Sequence, residues 1–476
     1  MRISKFLFAF IFLTFLQTGF TAITSAESLS LDDDYRARGI LLTNTNFNNA
    51  SSSGTYSYYS QRLDLTLTGK FNEGIEICTR ISALGVAGSS TAFAGLSNST
   101  STAPAYPYPN IDFIPFINYA YVKIKNLGDT PITVIAGQQP FNYGNGLIIA
   151  DNGMGLMGFR IYGKYKLPLP VPTSIFSKRR AGLYYLPIET EIFTAKVAAA
   201  GGLAPGYSHD LYGLVNRIKN GKYDYEISIF QDSDASGSQY IKGSNAYPAT
   251  SINKYFYDFY MTRKEDISNI RFEIAKENGS VKNTDGQQIT IDGMGYTIFG
   301  ELIGNKTSLG KVTAHAQIAY SSGDSNPNSF ASDGSFNPTQ TRRFDGLERV
   351  GYGELFAASP YDALFPLPLN SYYSGIDTLN VGVDISPVYG WNMGVDYFYF
   401  AASEGPAGAP DASGFEKLYG ANYSLGVEMD LYVKFAHSKY TEARFSYSRY
   451  TPPAFVVFWP TSDPATRYQF EISAKF

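Results

Sequence analysis

Apolar and polar side chains alternate without interruption over the last ten residues of the chain. One set contains Tyr468, Phe470, Ile472, Ala474 and Phe476, and the other contains Gln469, Glu471, Ser473 and Lys475. Successive side chains of a β-strand point to opposite faces, so this segment has one face suited to lipid and one suited to water. The pattern predicts a strand in the wall of a membrane β-barrel.

Amphipathic segments of this kind recur along the chain, separated alternately by long and short connections. Long connections are predicted at 47–58, 88–115, 139–158, 188–208, 232–253, 277–293, 322–376, 402–423 and 451–466. Short turns are predicted at 71–74, 126–130, 168–179, 220–221, 263–267, 304–310, 387–390 and 436–441. Barrels in the outer membrane join their strands by short periplasmic turns and longer extracellular loops. The alternation therefore predicts both termini in the periplasm.

These seventeen connections predict an all-β fold, a transmembrane antiparallel up-and-down β-barrel of eighteen strands. The connection 168–179 is long for a periplasmic turn and carries three prolines. A misassigned hairpin near this connection would lower the count to sixteen strands, which is the alternative.

The direction of individual side chains follows from the cleanest segments. Leu65 and the leucines two residues to either side alternate with polar or charged residues, as do the apolar residues around Leu431. A charge facing lipid at the bilayer midplane costs roughly 2–4 kcal/mol, so the charged positions must face inward. The residues predicted to line the lumen are Arg36, Arg38, Arg62, Asp64, Arg80, Arg160, Lys164, Arg271, Glu273, His315, Asp384, Asp396, Glu428, Asp430 and Arg444.

An eighteen-stranded barrel is too wide for wall side chains alone to fill. The first strand is expected to begin within about ten residues of the mature N-terminus, which leaves no room for an N-terminal plug, so an aqueous channel is predicted. The longest connection, 322–376, is the chief candidate for a loop that narrows it.

The two termini predict export to the bacterial outer membrane. Arg2 and Lys5 precede the apolar run 6–16, and small residues follow up to Ala26, as in a secretory signal peptide. The predicted division is a signal peptide at 1–26 and a barrel at 27–476. The terminal Phe476 resembles the assembly signal of outer-membrane barrels, so the outer-membrane assembly machinery and the outer-membrane lipid are expected partners.

Composition narrows the possible functions. Loss of the signal segment leaves 36 basic residues against 42 acidic ones, a net charge of −6, which does not suggest a nucleic-acid partner. The single cysteine, Cys78, cannot form an internal disulfide. The 38 tyrosines and 34 phenylalanines suit the aromatic girdles of a barrel.

Catalytic chemistry is not expected. His209, His315 and His437 are the only histidines, and they fall at the outer end of a strand, at mid-strand and in a short turn. They are therefore predicted to lie too far apart to share a metal or to activate a nucleophile. We expect no cofactor, no metal site and no enzymatic activity.

Two stretches carry a family resemblance. The first runs from Gly137-Gln138-Gln139 through Tyr143-Gly144-Asn145-Gly146 to Gly158-Phe159-Arg160, and the second joins 425–431 to 443–450. Both resemble the alginate-export family of outer-membrane porins. The resemblance implies an eighteen-stranded monomer, with an arginine-lined conduit for a polyanionic polysaccharide in the characterised branch. This sequence has Gln138 where the family often has arginine, and its predicted lumen carries acids about as often as bases.

The predicted function is a porin-like channel for hydrophilic solutes, among them saccharides or polysaccharide. An outer-membrane hydrolase and a surface receptor or adhesion barrel are the alternatives. Six predicted basic residues come from the first six strands, namely Arg36, Arg38, Arg62, Arg80, Arg160 and Lys164, whereas the acids at 384, 396, 428 and 430 come from the fourteenth to sixteenth. Because strands adjacent in sequence are neighbours in such a barrel, we expect separate basic and acidic arcs and only modest ion selectivity.

Overall fold

The computed structural model describes residues 27–44, 55–71, 74–88, 114–150, 155–170, 183–197, 208–235, 239–242, 245–324, 331–338, 353–355, 375–403, 424–452 and 463–476. The predicted signal peptide at 1–26 lies outside these residues, as does most of the connection 322–376.

Twenty strands and one short 3-10 turn make up the described secondary structure. The strands are β1 Ser28–Thr43, β2 Tyr56–Lys70, β3 Ile75–Gly88, β4 Ile114–Ile124, β5 Ile132–Gln139, β6 Leu156–Pro170, β7 Leu183–Lys196, β8 His209–Asn220, β9 Tyr223–Asp234, β10 Gln239–Lys242, β11 Asn245–Lys264, β12 Ser268–Asn283, β13 Gln288–Thr307, β14 Gly310–Ser321, β15 Ser332–Asp333, β16 Ile376–Ser386, β17 Trp391–Ala402, β18 Ser424–Ala436, β19 Thr441–Thr451 and β20 Ala465–Lys475. The 3-10 turn is Leu127–Asp129. None of the helical structure in the described part of the chain is long and apolar enough to cross a membrane.

Eighteen of the strands form one closed antiparallel ring, in which nine (β1–β9), four (β11–β14) and five (β16–β20) follow each other in chain order. The ring closes where β20 pairs with β1, from Asp34↔Lys475 to Thr43↔Thr466. Closure leaves no free edge in the hydrocarbon region, where an unpaired backbone group costs several kcal/mol. The prediction of an eighteen-stranded up-and-down barrel is confirmed, and the sixteen-strand alternative is wrong.

The two remaining strands lie outside the ring, at the end that carries the long loops. Strand β10 forms a hairpin with β11, and β15 pairs in parallel with β13. They cover an extension of β11, β12 and β13 that has a small apolar core of its own. This core consists of Tyr240, Ala249, Ile252, Val281, Ile289 and Ile291.

Three predicted loops were therefore too long. In the connection predicted at 232–253, β11 already begins at Asn245. The connection predicted at 277–293 is a hairpin in which β12 continues to Asn283 and β13 starts at Gln288. The connection predicted at 188–208 begins only after Lys196, because β7 continues to that residue. The extension of β12 and β13 passes the end of β14 and needs no apolar outer face. On β7 the outward Thr190 and Thr194 interrupt the apolar face, so the alternation is weak although the segment is a strand.

The predicted direction of the side chains is correct in the cleanest strands. On β18, Glu428 and Asp430 point inward and are 0% and 1% exposed, whereas Met429, Leu431 and Val433 form an exposed apolar outer face. The same alternation on β20 leaves Tyr468, Phe470 and Ile472 exposed and buries the residues between them. The outer surface is thus apolar where a barrel contacts lipid.

This assignment can be tested on adjacent residues of β2. Leu65→Arg directs a charge to lipid and is expected to destabilise the folded barrel by roughly 2–4 kcal/mol near the midplane, whereas Thr66→Arg points into the lumen and should be mild. Leu431→Arg provides a second outward position. Equilibrium unfolding by urea in lipid vesicles measures the difference, and equal effects of Leu65→Arg and Thr66→Arg would contradict the assignment.

Candidate pore constriction and lumen wall

The segment between β5 and β6 folds into the barrel and packs on its inner wall. Phe141, Tyr143, Leu147, Ile148 and Ile149 are at most 2% exposed. We call residues 140–150 the inner loop. Its apolar side chains share one buried cluster with inward-facing residues of the wall, which are Phe193 on β7, Leu211 and Val215 on β8, Phe230 on β9 and Phe256 on β11.

Aromatic contacts fix the position of the inner loop. The ring of Tyr143 stacks on Phe193 with centroids 5.0 Å apart, and Phe141 contacts the same ring edge-on at 5.2 Å. Such pairs contribute about 0.5–1.5 kcal/mol each beyond the area that they bury. The wall here is apolar on its lumen side as well as on its lipid side, which departs from the usual alternation and marks the docking surface of the loop.

Two buried carboxylates bind the backbone of the inner loop. Glu273 accepts hydrogen bonds from the backbone N–H groups of Asn145, at 2.7 Å, and Leu147, at 3.3 Å. Glu226 accepts one from Gly144 at 2.8 Å. Gly144 has a φ of +56°, and a Cβ there would lie 2.4 Å from Oε1 of Glu273, so only glycine allows this approach.

A third carboxylate joins the loop to two arginines. Glu191 accepts a 2.6 Å hydrogen bond from the Tyr143 hydroxyl and two bonds from the Arg160 guanidinium, at 2.6 and 3.0 Å. Arg217 bonds to Glu191 at 2.7 Å and to Glu226 at 2.8 Å, and its guanidinium lies 5.5 Å from the centroid of the Tyr143 ring. Because Glu191 is fully buried, its charge depends on these partners.

The connection 322–376 also reaches the inner wall at two places. At 353–355, Glu354 bonds to Arg444 at 2.6 Å, while Glu428 accepts a 2.7 Å hydrogen bond from the backbone of Leu355. At 331–338, the backbone N–H of Asn337 donates to Glu277 at 2.6 Å. Described parts of this connection therefore lie against the lumen side of the wall.

The predicted lumen residues all lie on the inner side of the wall, but they differ in what covers them. Glu273 is covered by the inner loop, and Glu428 and Asp430 are covered by 353–355. Each of these three is at most 1% exposed, so they lie beneath these segments and do not form exposed lumen surface. Local alternation gives the direction of a side chain, but it cannot show which distant segment covers it.

Two groups of predicted residues, on strands that are distant in sequence, contain side chains that keep partial exposure. On β2 and β3, Arg62 and Arg80 both bond to Asp64, at 2.7 and 2.6 Å. On β14, β16 and β17, His315 lies 2.7 Å from Asp396 and 3.5 Å from Asp384. The side chains of Arg62, Arg80 and Asp384 are 21–25% exposed.

The remaining predicted residues are also paired. Arg38 bonds to Glu471 across the closing β1–β20 pair. Lys164 lies 3.4 Å from Glu189, and the guanidinium of Arg271 lies 4.1 Å from the ring centroid of Phe299. Arg36 occupies an inward position on β1. Basic and acidic side chains are mixed in this part of the wall, since Asp64 lies beside Arg62 on β2 and Glu189 and Glu191 lie beside Lys164 and Arg160.

The sequence did not indicate several residues of the site. Glu191 lies in a stretch that was assigned to a loop, while Arg217 and Glu226 have inward positions on β8 and β9 that alternation could have found. Tyr143 lies in a stretch that carries the family resemblance, but the sequence does not indicate its contact with Glu191. The three histidines lie apart, on β8, on β14 and in the turn after β18. The part of the chain that the structure describes contains no group of three metal-binding side chains arranged to hold an ion.

No protein-family model matches the chain, and no curated protein matches it. The chain is, however, similar to several solved structures. The chain is similar to OccAB4 of Acinetobacter baumannii, with 12% identity, a TM-score of 0.50 and coverage of 95% of this chain and 98% of that one. It is similar to OccK2 (OpdF) of Pseudomonas aeruginosa in complex with glucuronate, with 9% identity, a TM-score of 0.51 and coverage of 95% and 98%.

A BenF-like porin from Pseudomonas fluorescens Pf-5 is similar to the same degree, with 12% identity, a TM-score of 0.51 and coverage of 95% and 99%. At these identities the likeness concerns the fold. The chain has the porin fold, and its large closed barrel with an apolar outer face is that of a bacterial outer-membrane protein.

The anchoring of the inner loop can be tested by removing Glu191. Glu191→Ala leaves two buried guanidinium groups without their shared partner, and breaking a buried ion pair in this way costs about 3–5 kcal/mol. We expect the inner loop to leave the wall, which limited proteolysis and fluctuating single-channel current would detect.

Glu189→Ala is the matched control. Glu189 is two residues away on the same face and contacts Lys164 and Arg217, but no residue of the inner loop. A quiet channel and a protease-resistant loop in Glu191→Ala would contradict the anchoring role.

Proposed function

We propose that the protein is a monomeric outer-membrane channel that passes hydrophilic solutes, among them saccharides. The observation that carries this proposal is the lumen itself. Eighteen strands enclose a space wider than wall side chains fill. Its wall carries charged groups such as Arg62 and Asp384 that keep part of their surface exposed.

The position of the inner loop favours a narrowed, selective passage over a wide open pore. It covers the lumen side of β7, β8, β9, β11 and β12, so the route for a solute is displaced toward the other strands. Residues 353–355 cover part of β18 and contact β19. We propose that the connection 322–376 narrows the passage from this side. Shortening the connection should then raise single-channel conductance.

The saccharide class rests on two supports. The chain resembles the alginate-export porins in the stretches quoted above, and OccK2, which has the same fold, was solved with glucuronate. The acids around His315 oppose a dedicated polyanion conduit, because fixed negative charges in a narrow low-dielectric passage repel anions. We therefore propose a channel with modest ion selectivity.

Conductance in a planar bilayer tests this proposal, and two single substitutions test the wall charges. Arg62→Gln should shift the reversal potential in a salt gradient toward cations, and Asp384→Asn should shift it toward anions, because each removes a partly exposed charge. Both shifts should shrink as salt rises. The covered Asp430→Asn is a control with the same change in charge. Strong anion selectivity of the unmodified protein with tight binding of a polyuronate would refute modest selectivity, and absence of conductance would refute the channel.

The terminal Phe476 is proposed to act in assembly. Its ring is 65% exposed at the outer side of β20, and its backbone exchanges two hydrogen bonds with Asp33, at 3.0 and 3.1 Å. Deletion of Phe476 should lower the yield of folded protein in the outer membrane, whereas Phe476→Tyr keeps an aromatic ring and should not. Conductance of the molecules that do fold should be unchanged. An undiminished yield after the deletion would exclude the assembly role.

A further inference from the structure

Inward-facing lysines gather at one end of the barrel. Ten of them lie at or near strand ends on the side of the short turns, which is the periplasmic side. We call them the lysine collar. It consists of Lys70 on β2, Lys123 and Lys125 at the end of β4, Lys164 and Lys166 on β6, Lys219 on β8, Lys264 on β11, Lys311 on β14, Lys434 on β18 and Lys475 on β20.

Each collar lysine has an inward position on its own strand. Lys70 follows Asp64 at an even spacing on β2, and Lys475 follows Glu471 in the same way on β20. Among the described residues, only Lys254 is an inward-facing lysine near the extracellular ends. Lys196, Lys276 and Lys282 are also near those ends, but they have outward positions. The collar is therefore a property of one mouth of the barrel.

The β6–β7 hairpin carries the collar beyond the rest of the wall. Pairing of β6 with β5 ends at Ile132↔Gly163, and pairing of β7 with β8 ends at Ile188↔Ile218, yet β6 and β7 remain paired as far as Pro170↔Leu183. Residues 164–168 are exposed on both faces as a result. Pro168 and Pro170, which lie in the connection predicted at 168–179, belong to this projecting ribbon.

Carboxylates only partly neutralise the collar. Five pairs are present, at 3.2–3.9 Å: Lys125–Glu76, Lys164–Glu189, Lys219–Asp224, Lys434–Glu442 and Lys475–Asp34. Exposed pairs of this kind are weak and are screened by salt, so they do not hold the ammonium groups away from a competing anion. With Asp32, which also has an inward position on β1, ten lysines stand against six carboxylates, an excess of four positive charges.

The opposite end of the wall has the opposite sign. The inward carboxylates Asp232, Asp234, Glu277 and Glu428 stand there against Lys254 and Arg467, an excess of two negative charges. The two ends also differ in exposure. These acids are at most 8% exposed, whereas seven of the collar lysines are exposed: Lys70, Lys164, Lys166, Lys219, Lys264, Lys311 and Lys475.

We propose that the lysine collar captures multivalent anions, bearing phosphate or carboxylate groups, at the periplasmic mouth of the channel. The inference rests on the proposed channel function and adds the side from which anions enter the channel more readily. A mouth lined by one sign of charge raises the local concentration of the opposite ion by about 10–1000-fold at low ionic strength. The channel therefore loads anionic solutes from the periplasm more readily than from outside.

One-sided block by inorganic tripolyphosphate tests the collar. The protein is inserted in one orientation in a planar bilayer, and the orientation is verified by a membrane-impermeant thiol reagent acting on Lys222→Cys in a periplasmic turn. At low salt, tripolyphosphate should reduce the current from the periplasmic chamber at about one-tenth of the concentration needed from the other chamber. Raising the salt to about 1 M, where the Debye length is roughly 3 Å, should remove the difference.

The triple variant Lys70→Gln, Lys166→Gln, Lys311→Gln removes the charge but keeps a polar side chain at three separate points of the collar, and it should lose the side preference. The matched control is Lys196→Gln, Lys276→Gln, Lys282→Gln, which removes the same charge from outward positions near the extracellular ends and should keep it. Equal block from both chambers, or an unchanged preference in the collar variant, would overturn the proposal.

Calorimetric binding of tripolyphosphate to the folded barrel in detergent separates the two proposals. Suppose that the unmodified protein binds tripolyphosphate, that the collar variant does not, and that no conductance is measured. This result would refute the channel and keep the collar. Conductance without any binding would refute the collar and keep the channel.

Discussion

The requirement that every backbone polar group in the membrane be paired within the protein determines the rest of this structure. Eighteen strands meet that requirement only because β20 pairs with β1 and leaves no edge. Closure fixes which face of each strand meets lipid, and the cost of a charge in lipid then sends every charged side chain at that depth inward. A wide barrel with a charged interior is the consequence, and it raises a second physical question, namely what satisfies those charges.

The answer lies in segments that return into the barrel. Glu273 and Glu226 accept backbone N–H groups of the inner loop, and Glu428 accepts one from Leu355. A loop inside a barrel has backbone N–H groups that need acceptors, and the wall has carboxylates that need donors. Pairing them avoids the free-energy cost of burying either group without a hydrogen bond. Apolar wall residues such as Phe193 add packing to these bonds. The returning segments thus fill part of the lumen because they satisfy the charges that the membrane directs inward.

The sequence predicted the strand number because alternation is a local property that each strand must satisfy where it meets lipid. It failed at 277–293, where β12 and β13 extend past the end of β14 and the outer face need not be apolar, and at 188–208, where threonines interrupt the apolar outer face of β7. It also failed to identify the inner loop as a constriction, since docking on Phe230 or Glu273 joins residues far apart in sequence. One local sign was available. Phe193, Leu211 and Phe230 place apolar groups on the charged side of their strands, which indicates a surface that another segment covers.

The two kinds of cation in the wall are used in different places, and their chemistry explains the separation. Arginines lie at mid-wall in bidentate or shared contacts, as Arg160 and Arg217 do with Glu191, where a planar guanidinium with several donors can satisfy buried carboxylates. Lysines lie at the strand ends, where a strongly hydrated ammonium on a flexible stem stays in water. Buried arginines therefore set the shape of the lumen, because they are committed to the carboxylates that hold the inner loop. Exposed lysines form only weak pairs with carboxylates, so an anion at the periplasmic mouth first meets a net positive charge.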